Sequence, residues 1–276
     1  MIIPFTKMQG IGNDFIVIDC RTGIPERDDH ELGALSRRLC DRRFGIGADQ
    51  VLLLYDSEKA DFRMRIFNAD GSEVEMCGNG IRCFAKYIWD RQLSEKSVLE
   101  IETAAGIIKP VKTGGLVKVD MGVPVLDARL IPVDLDGLIQ DYPLTIEDKT
   151  FTITCVSMGN PHAVIFVDDL DSVDVQRYGP RIETHKLFPR KVNVEFAQVV
   201  DPHTVRMRVW ERGAGETLAC GTGASAVAVA ANLKGMVKKR VTIKLLGGDL
   251  LIDLDEGGHV FMTGPAEEVF EGRIQR

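Results

Sequence analysis

Arg63–Arg82, RMRIFNADGSEVEMCGNGIR, decides the reading of this chain because the sequence contains it twice. Arg206–Ser225, RMRVWERGAGETLACGTGAS, starts on the same R-M-R and reaches the same Cys-Gly-x-Gly fourteen residues later. The two cysteines, Cys77 and Cys220, stand 143 residues apart in a chain of 276. A repeat of about half the length fixes the architecture before any element is assigned. It predicts two equivalent halves, each with a cysteine in the same place.

The duplication extends outward from that stretch. In the first half, a glycine turn with Asn13 and Asp14 leads into the strand-like FIVID, rich in β-formers. Asp28–Arg43 has Leu32, Leu35 and Leu39 on one face, acidic residues at its start and Arg at its end, which predicts a helix stopped by Gly45 and Gly47. Val51–Tyr55 and Phe62–Asn68 read as strands, Asp70-Gly71 as a turn, and Gly78 to about Gln92 as a helix. Val98–Met121 returns to strands broken at Gly106 and at Gly114-Gly115. Arg63, Arg65, Arg206 and Arg208 alternate with apolar residues and are expected on solvated strand faces.

Val123–Pro143 has no counterpart in the repeat, carries three prolines and is expected to be the crossover between halves. Gly159-Asn160-Pro161-His162 and AVIFVDD then echo the Gly12-Asn13 turn and FIVID at an offset of 147. Ser172–Leu187 echoes the first helix, with Pro180 expected to distort it. Val192–Val194 falls opposite Asp49–Val51, a strand follows over Val205–Trp210, and a helix over Gly221–Leu233 is ended by Gly235. The repeat divides the chain into 1–122 with 266–276, and 123–265.

Composition bounds the function. With 45% hydrophobic and 27% charged residues the chain can bury a large core. A net charge of −7 argues against nucleic acid or an anionic membrane surface as partner. No apolar run reaches 18 residues, and the N-terminus lacks the pattern of a secretory signal. Six cysteines are too dilute for a disulfide scaffold, so a cytoplasmic protein with reduced thiols is expected.

In both copies the cysteine stands where a strand and turn give way to a helix. The first N–H groups of a helix have no internal partner, and with the helix dipole they favour a thiolate and bind anions such as a carboxylate. Each half therefore offers a potential base beside a carboxylate cradle. The competing roles of a cysteine are core filler, metal ligand and disulfide partner. Burial suits Cys20, Cys40, Cys83 and Cys155, which have no repeat partner. No Cys-x-x-Cys occurs, so no metal is expected. Two near-equivalent thiols in opposed halves suit the inversion of a carbon that carries a hydrogen. One removes the proton from one face and the other delivers a proton to the opposite face, so the pair titrates as a coupled unit.

MCGNGIRC, ACGTGAS, GNDFIVID, GNPHAVIF and the Glu211-Arg212 step together resemble the diaminopimelate epimerase family, in order and with its spacing from Gly10 to Gly272. The resemblance implies an α/β fold of the α+β type with two pseudo-symmetric domains, each a curved or barrel-like sheet around a central helix, and a site in the cleft between them. It implies a cofactor-independent isomerase of lysine and peptidoglycan-precursor biosynthesis that interconverts LL- and meso-2,6-diaminopimelate. Cys77 and Cys220 would be its acid/base pair, Cys220 removing the proton from the LL substrate and Cys77 returning one. Gly78-Asn79 and Gly221-Thr222 would hold the α-carboxylate. Asn13, Gln50, Asn68, Asn160, Asn193, Glu211 and Arg212 would contact the substrate, and His162 and Glu211 would tune the thiols. A homodimer is implied, with Phe270 standing where many members have a tyrosine at the dimer contact.

Other readings make different demands. A proline-type racemase of the same two-cysteine architecture needs no provision for a second charged end, which Asn160, Asn193 and Arg212 supply here. A thiol redox protein needs a resolving cysteine, for which Cys83 is the nearest candidate. A plain amino-acid-binding module has no use for both Cys77 and Cys220. Gly10-x-Gly12 and Gly45-x-Gly47 lack the rest of a dinucleotide fingerprint, and no signal points to a nucleotide, PLP or metal.

Overall fold

A computed structural model describes residues 2–21 and 28–275; Met1 and Arg276, the outer limits of the expected first half, lie outside them. In chain order the elements are β1 (Ile2–Gly10), β2 (Asn13–Asp19), α1 (Asp29–Cys40), β3 (Gln50–Tyr55), β4 (Phe62–Asn68), β5 (Glu73–Val74), α2 (Gly78–Asp90), β6 (Ile101–Thr103), β7 (Gly106–Ile108), β8 (Val111–Thr113) and β9 (Leu116–Asp120). There follow β10 (Tyr142–Ile146), β11 (Lys149–Ser157), β12 (Pro161–Phe166), α3 (Val175–Glu183), β13 (Asn193–Asp201), β14 (Thr204–Glu211), β15 (Gly215–Thr217), α4 (Gly221–Leu233), β16 (Arg240–Leu245), β17 (Gly248–Leu254), β18 (Val260–Gly264) and β19 (Glu267–Gln275). The chain divides into two compact units: one runs up to Val119 and resumes at Gly264, and the other is Asp120–Thr263.

In the first unit the strands run β19-β1-β2-β3-β4-β6-β7, with β5 on β4. In the second they run β10-β11-β12-β13-β14-β16-β17-β18, with β15 on β14. From β1 to β7 the pairings alternate antiparallel, parallel, antiparallel, parallel, antiparallel. From β11 to β17 they do the same. The sequence repeat is thus a repeat of topology. Parallel neighbours need a long crossover, which brings a helix onto a sheet face.

Both faces of β3 are covered, which is why QVLLLY is a near-continuous apolar run. Val51, Leu53 and Tyr55 join Leu32 and Leu39 of α1 in one cluster. Leu52 and Phe15 lie against the start of α2 on the opposite face. The second unit repeats this with Val194, Phe196 and Ile165 against Tyr178 and Ile182 of α3. α4 is the most buried helix face of that unit, with Ala224–Ala231 all inaccessible or nearly so. Helix α4 begins and ends as its sequence predicts.

Four expectations are corrected. α1 stops at Cys40 rather than Arg43, because the returning loop takes its last carbonyls: Ile46 and Gly47 donate to Leu39 O, and Ala48 to Cys40 O. α3 is confined to Val175–Glu183, with Asp174 accepting from Arg177 N at its start and Pro180, which has no N–H to give, inside it. The stretch 123–143 is more than a crossover, since Ala128, Ile131, Val133 and Ile139 enter the core of the second unit. The strand arginines are not simply solvated either. Arg65 pairs with Glu73 and Asp29 and lies over Phe67, Arg63 lies over Tyr55, and Arg206 and Arg208 pair with Asp171 and Glu216. Glu73 on β5 and Glu216 on β15 lie over those strands, Asp29 reaches Arg65 from the start of α1, and Asp171 reaches Arg206 from the turn before α3.

α1 approaches the β4–β5 turn so closely that a Cβ on Gly33 would stand 2.6 Å from the Gly71 carbonyl oxygen. Gly71 itself has φ +84°, as the Asp70-Gly71 turn requires. Gly to Ala inside a helix ordinarily gains about 1 kcal/mol, whereas forcing backbone apart costs about 1–3 kcal/mol. With a net loss of up to about 2 kcal/mol, Gly33→Ala is expected to lower Tm, by up to about 8 °C in calorimetry. An unchanged or raised Tm would show that the turn yields.

Candidate active site

Cys77 is the residue that caps α2. Its backbone is extended, at φ −139° and ψ 116°, and its Sγ accepts a hydrogen bond from Gly80 N at 3.4 Å. Cys220 caps α4 with nearly the same geometry, φ −132° and ψ 109°, and Sγ accepts from Gly223 N at 3.4 Å. In both motifs the second glycine supplies that N–H, and a Cβ there would press on the cysteine Cβ at 3.3 Å. Cys-Gly-x-Gly is thus the sequence of a thiol helix cap, with free backbone N–H groups beside the sulfur.

Around Cys77 the structure gathers Asn13 and Asn79. Cys77 Sγ lies 3.8 Å from Asn13 Oδ1, which also accepts from Asn79 Nδ2 at 3.2 Å. The amides are oriented from both ends, since Arg82 donates to Asn79 Oδ1 at 2.8 Å and Asn13 Nδ2 donates to Asp49 at 2.7 Å. Arg82 is fully buried and also donates to Gly78 O and Pro265 O. Gln50 and Asn68 face each other across β3 and β4, with Gln50 Nε2 donating to Asn68 Oδ1 at 2.8 Å, and Asn68 Nδ2 to Ser72 Oγ.

Around Cys220, Thr222 Oγ1 lies 3.5 Å from the sulfur, and Glu211 takes hydrogen bonds from Thr217 and from Cys220. Asn160 Oδ1 lies 2.9 Å from His162 Nε2, and His162 Nδ1 lies 2.7 Å from Glu195 Oε1. Asn193 is nearly buried and spends its amide on backbone, donating to Pro161 O and accepting from Arg212 N. Its demonstrable work is to hold the β12 start and Arg212 in place. Arg212 is exposed and donates to Arg190 O.

Helix starts favour a thiolate, yet Cys220 is pushed well above the usual thiol range. Burial is the main cause, followed by the carboxylates of Glu211 and Glu195, and together they outweigh the Thr222 and Gly223 hydrogen bonds. Burial also pushes Glu211 up, which makes it a better proton acceptor than an exposed carboxylate. Asp14, next to Asn13, is held down at about 2: its burial acts upward, but hydrogen bonds from Arg42 and Lys7 prevail. The four cysteines without repeat partners are buried, as expected, and burial drives Cys83 and Cys155 to about 12. Among the described residues there is no metal-holding group of three His, Cys, Asp or Glu, and no helix long and apolar enough to cross a membrane.

A family model described as diaminopimelate epimerase matches residues 5–126 and 154–269. The chain belongs to the diaminopimelate epimerase family. A diaminopimelate epimerase of Carboxydothermus hydrogenoformans is 54% identical over 98% of both chains. One of Acetivibrio thermocellus is 51% identical, again over 98% of both. In structure the chain is similar to a phenazine biosynthesis protein of the PhzF family from Bacillus anthracis, with a TM-score of 0.73 over 100% of both chains at 18% identity. That likeness shows the fold: a mixed α/β chain in which each sheet packs against helices.

Sequence reasoning missed Glu195, Arg82 and Asp49. None repeats: at the offset of 143, Leu52 stands for Glu195 and Ser225 for Arg82. The one available signal was a charged residue inside an apolar strand or helix run. The burial pattern also separates the six thiols chemically. At pH 8, iodoacetamide is expected to label half-buried Cys77 at least about tenfold faster than Cys83 or Cys155. Peptide mass spectrometry with equal rates at the three sites would contradict that separation.

Proposed function

We propose that this chain interconverts LL- and meso-2,6-diaminopimelate without a cofactor, through Cys77 and Cys220 as two proton carriers. What carries the reading is the same thiol helix cap in both units of a chain of this family. In the forward direction Cys220, as thiolate, takes the α-hydrogen as a proton. The electron pair left on carbon spreads into the α-carboxylate, whose growing charge falls on the helix-start N–H groups at Gly78-Asn79 and Gly221-Thr222. The Cys77 thiol delivers its proton to the opposite face, leaving Cys220 protonated and Cys77 a thiolate. The two sulfurs then exchange roles for the reverse reaction.

Glu211, hydrogen-bonded to Cys220 and raised by burial, is suited to take the Cys220 proton and expose the thiolate. Asn13, Gln50, Asn68 and Asn160 supply amides to the substrate's charged groups, Arg212 a planar fork for the distal carboxylate, and Asn193 the bracket that aims Arg212. Each unit supplies one thiol, and the mechanism requires both to reach one carbon. The thiols must stay reduced, which fits action in the cytoplasm. A homodimer is supported by Val269 and Phe270, which are about half exposed on β19.

In deuterated water without added cofactor, the protein is expected to exchange the α-hydrogen of LL-diaminopimelate and to yield the meso form. Cys77→Ala and Cys220→Ala should each lower epimerisation by about a hundredfold or more, the scale of a lost general acid or base. Full turnover by the double variant would sink the mechanism, and preferential racemisation of proline would replace the substrate.

A further inference from the structure

The two cysteine sites are built alike except at one place beneath each helix start. A Cβ on Gly80 would meet Leu52 at 3.3 Å and Phe15 at 3.4 Å, both fully buried apolar side chains. A Cβ on Gly223, the equivalent residue, would meet Glu195 Oε1 at 2.8 Å and Cys220 Sγ at 3.3 Å. The sheets agree: Leu52 pairs with Val17 in parallel β2–β3, and Glu195 with Val164 in parallel β12–β13. Phe15 and His162 likewise hold matching positions, opposite Gln50 and Asn193. The second unit has therefore replaced a buried Leu–Phe pair by a buried Glu–His pair, directly beside one catalytic thiol.

That replacement is costly for stability alone. Glu195 and His162 are both fully inaccessible, and Glu195 Oε2 is buried without a hydrogen-bond partner among the described residues. A buried polar atom left unpaired costs about 1–3 kcal/mol, while the first unit shows that an apolar pair fills the same space. His162 Nδ1 lies 2.7 Å from Glu195 Oε1 and Nε2 lies 2.9 Å from Asn160 Oδ1, which together fix the ring.

We infer that Glu195 is a positioning residue for the proposed reaction, one that makes the two thiols unequal by holding Cys220 in its protonated form until the substrate is bound. The inference rests on the reading of Cys220 as a proton carrier. A carboxylate beside a thiol opposes a second negative charge, and Glu195 is among the groups that push Cys220 up, after burial and Glu211. The ionisable groups around Cys220 are Glu211 on β14, Glu195 on β13 and, beside both, His162 on β12; Cys155 on β11 adjoins Glu195 and is itself raised, by burial first and then by Glu195. On β16 and β17, Arg240 with Asp253 and Lys244 with Asp249 form ion pairs of their own. Cys77 has Leu52 and Phe15 in the corresponding place and escapes this particular charge.

The test is a titration of the full chain labelled with 13C at the cysteine Cβ, whose shift reads thiol against thiolate without needing access to solvent. In Glu195→Gln, a near-isosteric change, the Cys220 acid constant should rise about tenfold, a midpoint about one pH unit lower, while the Cys77 midpoint moves less. The double variant Glu195→Leu, His162→Phe copies the pair the chain already packs around Gly80, and should bring the Cys220 midpoint towards that of Cys77. An unmoved Cys220 midpoint in either folded variant, or an equal movement of both thiols, would overturn the inference. Retained epimerisation by Cys220→Ala would instead refute Cys220 as a proton carrier, and would leave the titration result standing.

Discussion

A cysteine that caps a helix must turn its sulfur back onto the N–H of the third helical residue, and much of this structure follows from that contact. It holds Sγ at the mouth of the helix, where unpaired N–H groups can receive an anion. It asks for an extended backbone at the cysteine, which the preceding strand and turn provide. It also asks for glycine at the donor, because a side chain there would press on the cysteine and on the sheet beneath. The parallel pairings β2–β3 and β12–β13 then bring Phe15 with Leu52, and His162 with Glu195, beneath the two helix starts.

The duplication was legible because its signals are periodic and local: R-M-R on a strand, Cys-Gly-x-Gly at a helix start, Gly-Asn before a β-rich run. The helix α4 was equally plain, since an Ala/Val run bounded by Gly has few other uses. Less legible were features decided by distant chain. The end of α1 depends on Ile46, Gly47 and Ala48 returning to cap it, and no helix propensity encodes that return. The core role of Ala128, Ile131, Val133 and Ile139 was hidden because prolines and missing repeat partners made the stretch look like a connector. Arg65 and Arg208 alternate as solvated residues would, but small flanking strands bring Glu73 and Glu216 over them.

The site was legible in the same uneven way. Residues that repeat, such as the cysteines and the Asn13/Asn160 pair, announced themselves. Residues that act by breaking the repeat did not. Arg82 lies buried behind Asn79 where the second unit has Ser225, and both donate to the first carbonyl of their helix, at Gly78 and Gly221. Only the arginine reaches on to an amide, that of Asn79, which in turn holds Asn13 against the sulfur. Comparing the halves for where they differ is as informative as aligning them for where they agree.

A pair of proton carriers needs both likeness and difference. Likeness gives each sulfur an equivalent helix start, as the proposed inversion of one carbon from two faces requires. In the proposed reaction, complete likeness would split the free protein evenly between the form that accepts the LL centre and the form that accepts the inverted one. The differences lie beside the sulfurs: the carboxylates Glu211 and Glu195 raise Cys220, whereas Cys77 faces the amide oxygen of Asn13, held by Asn79 with the buried Arg82 behind it. Each is paid in burial of polar groups that an apolar core would avoid. The same fold can therefore supply two matching thiol caps while the few unmatched buried residues give each sulfur a different electrostatic setting.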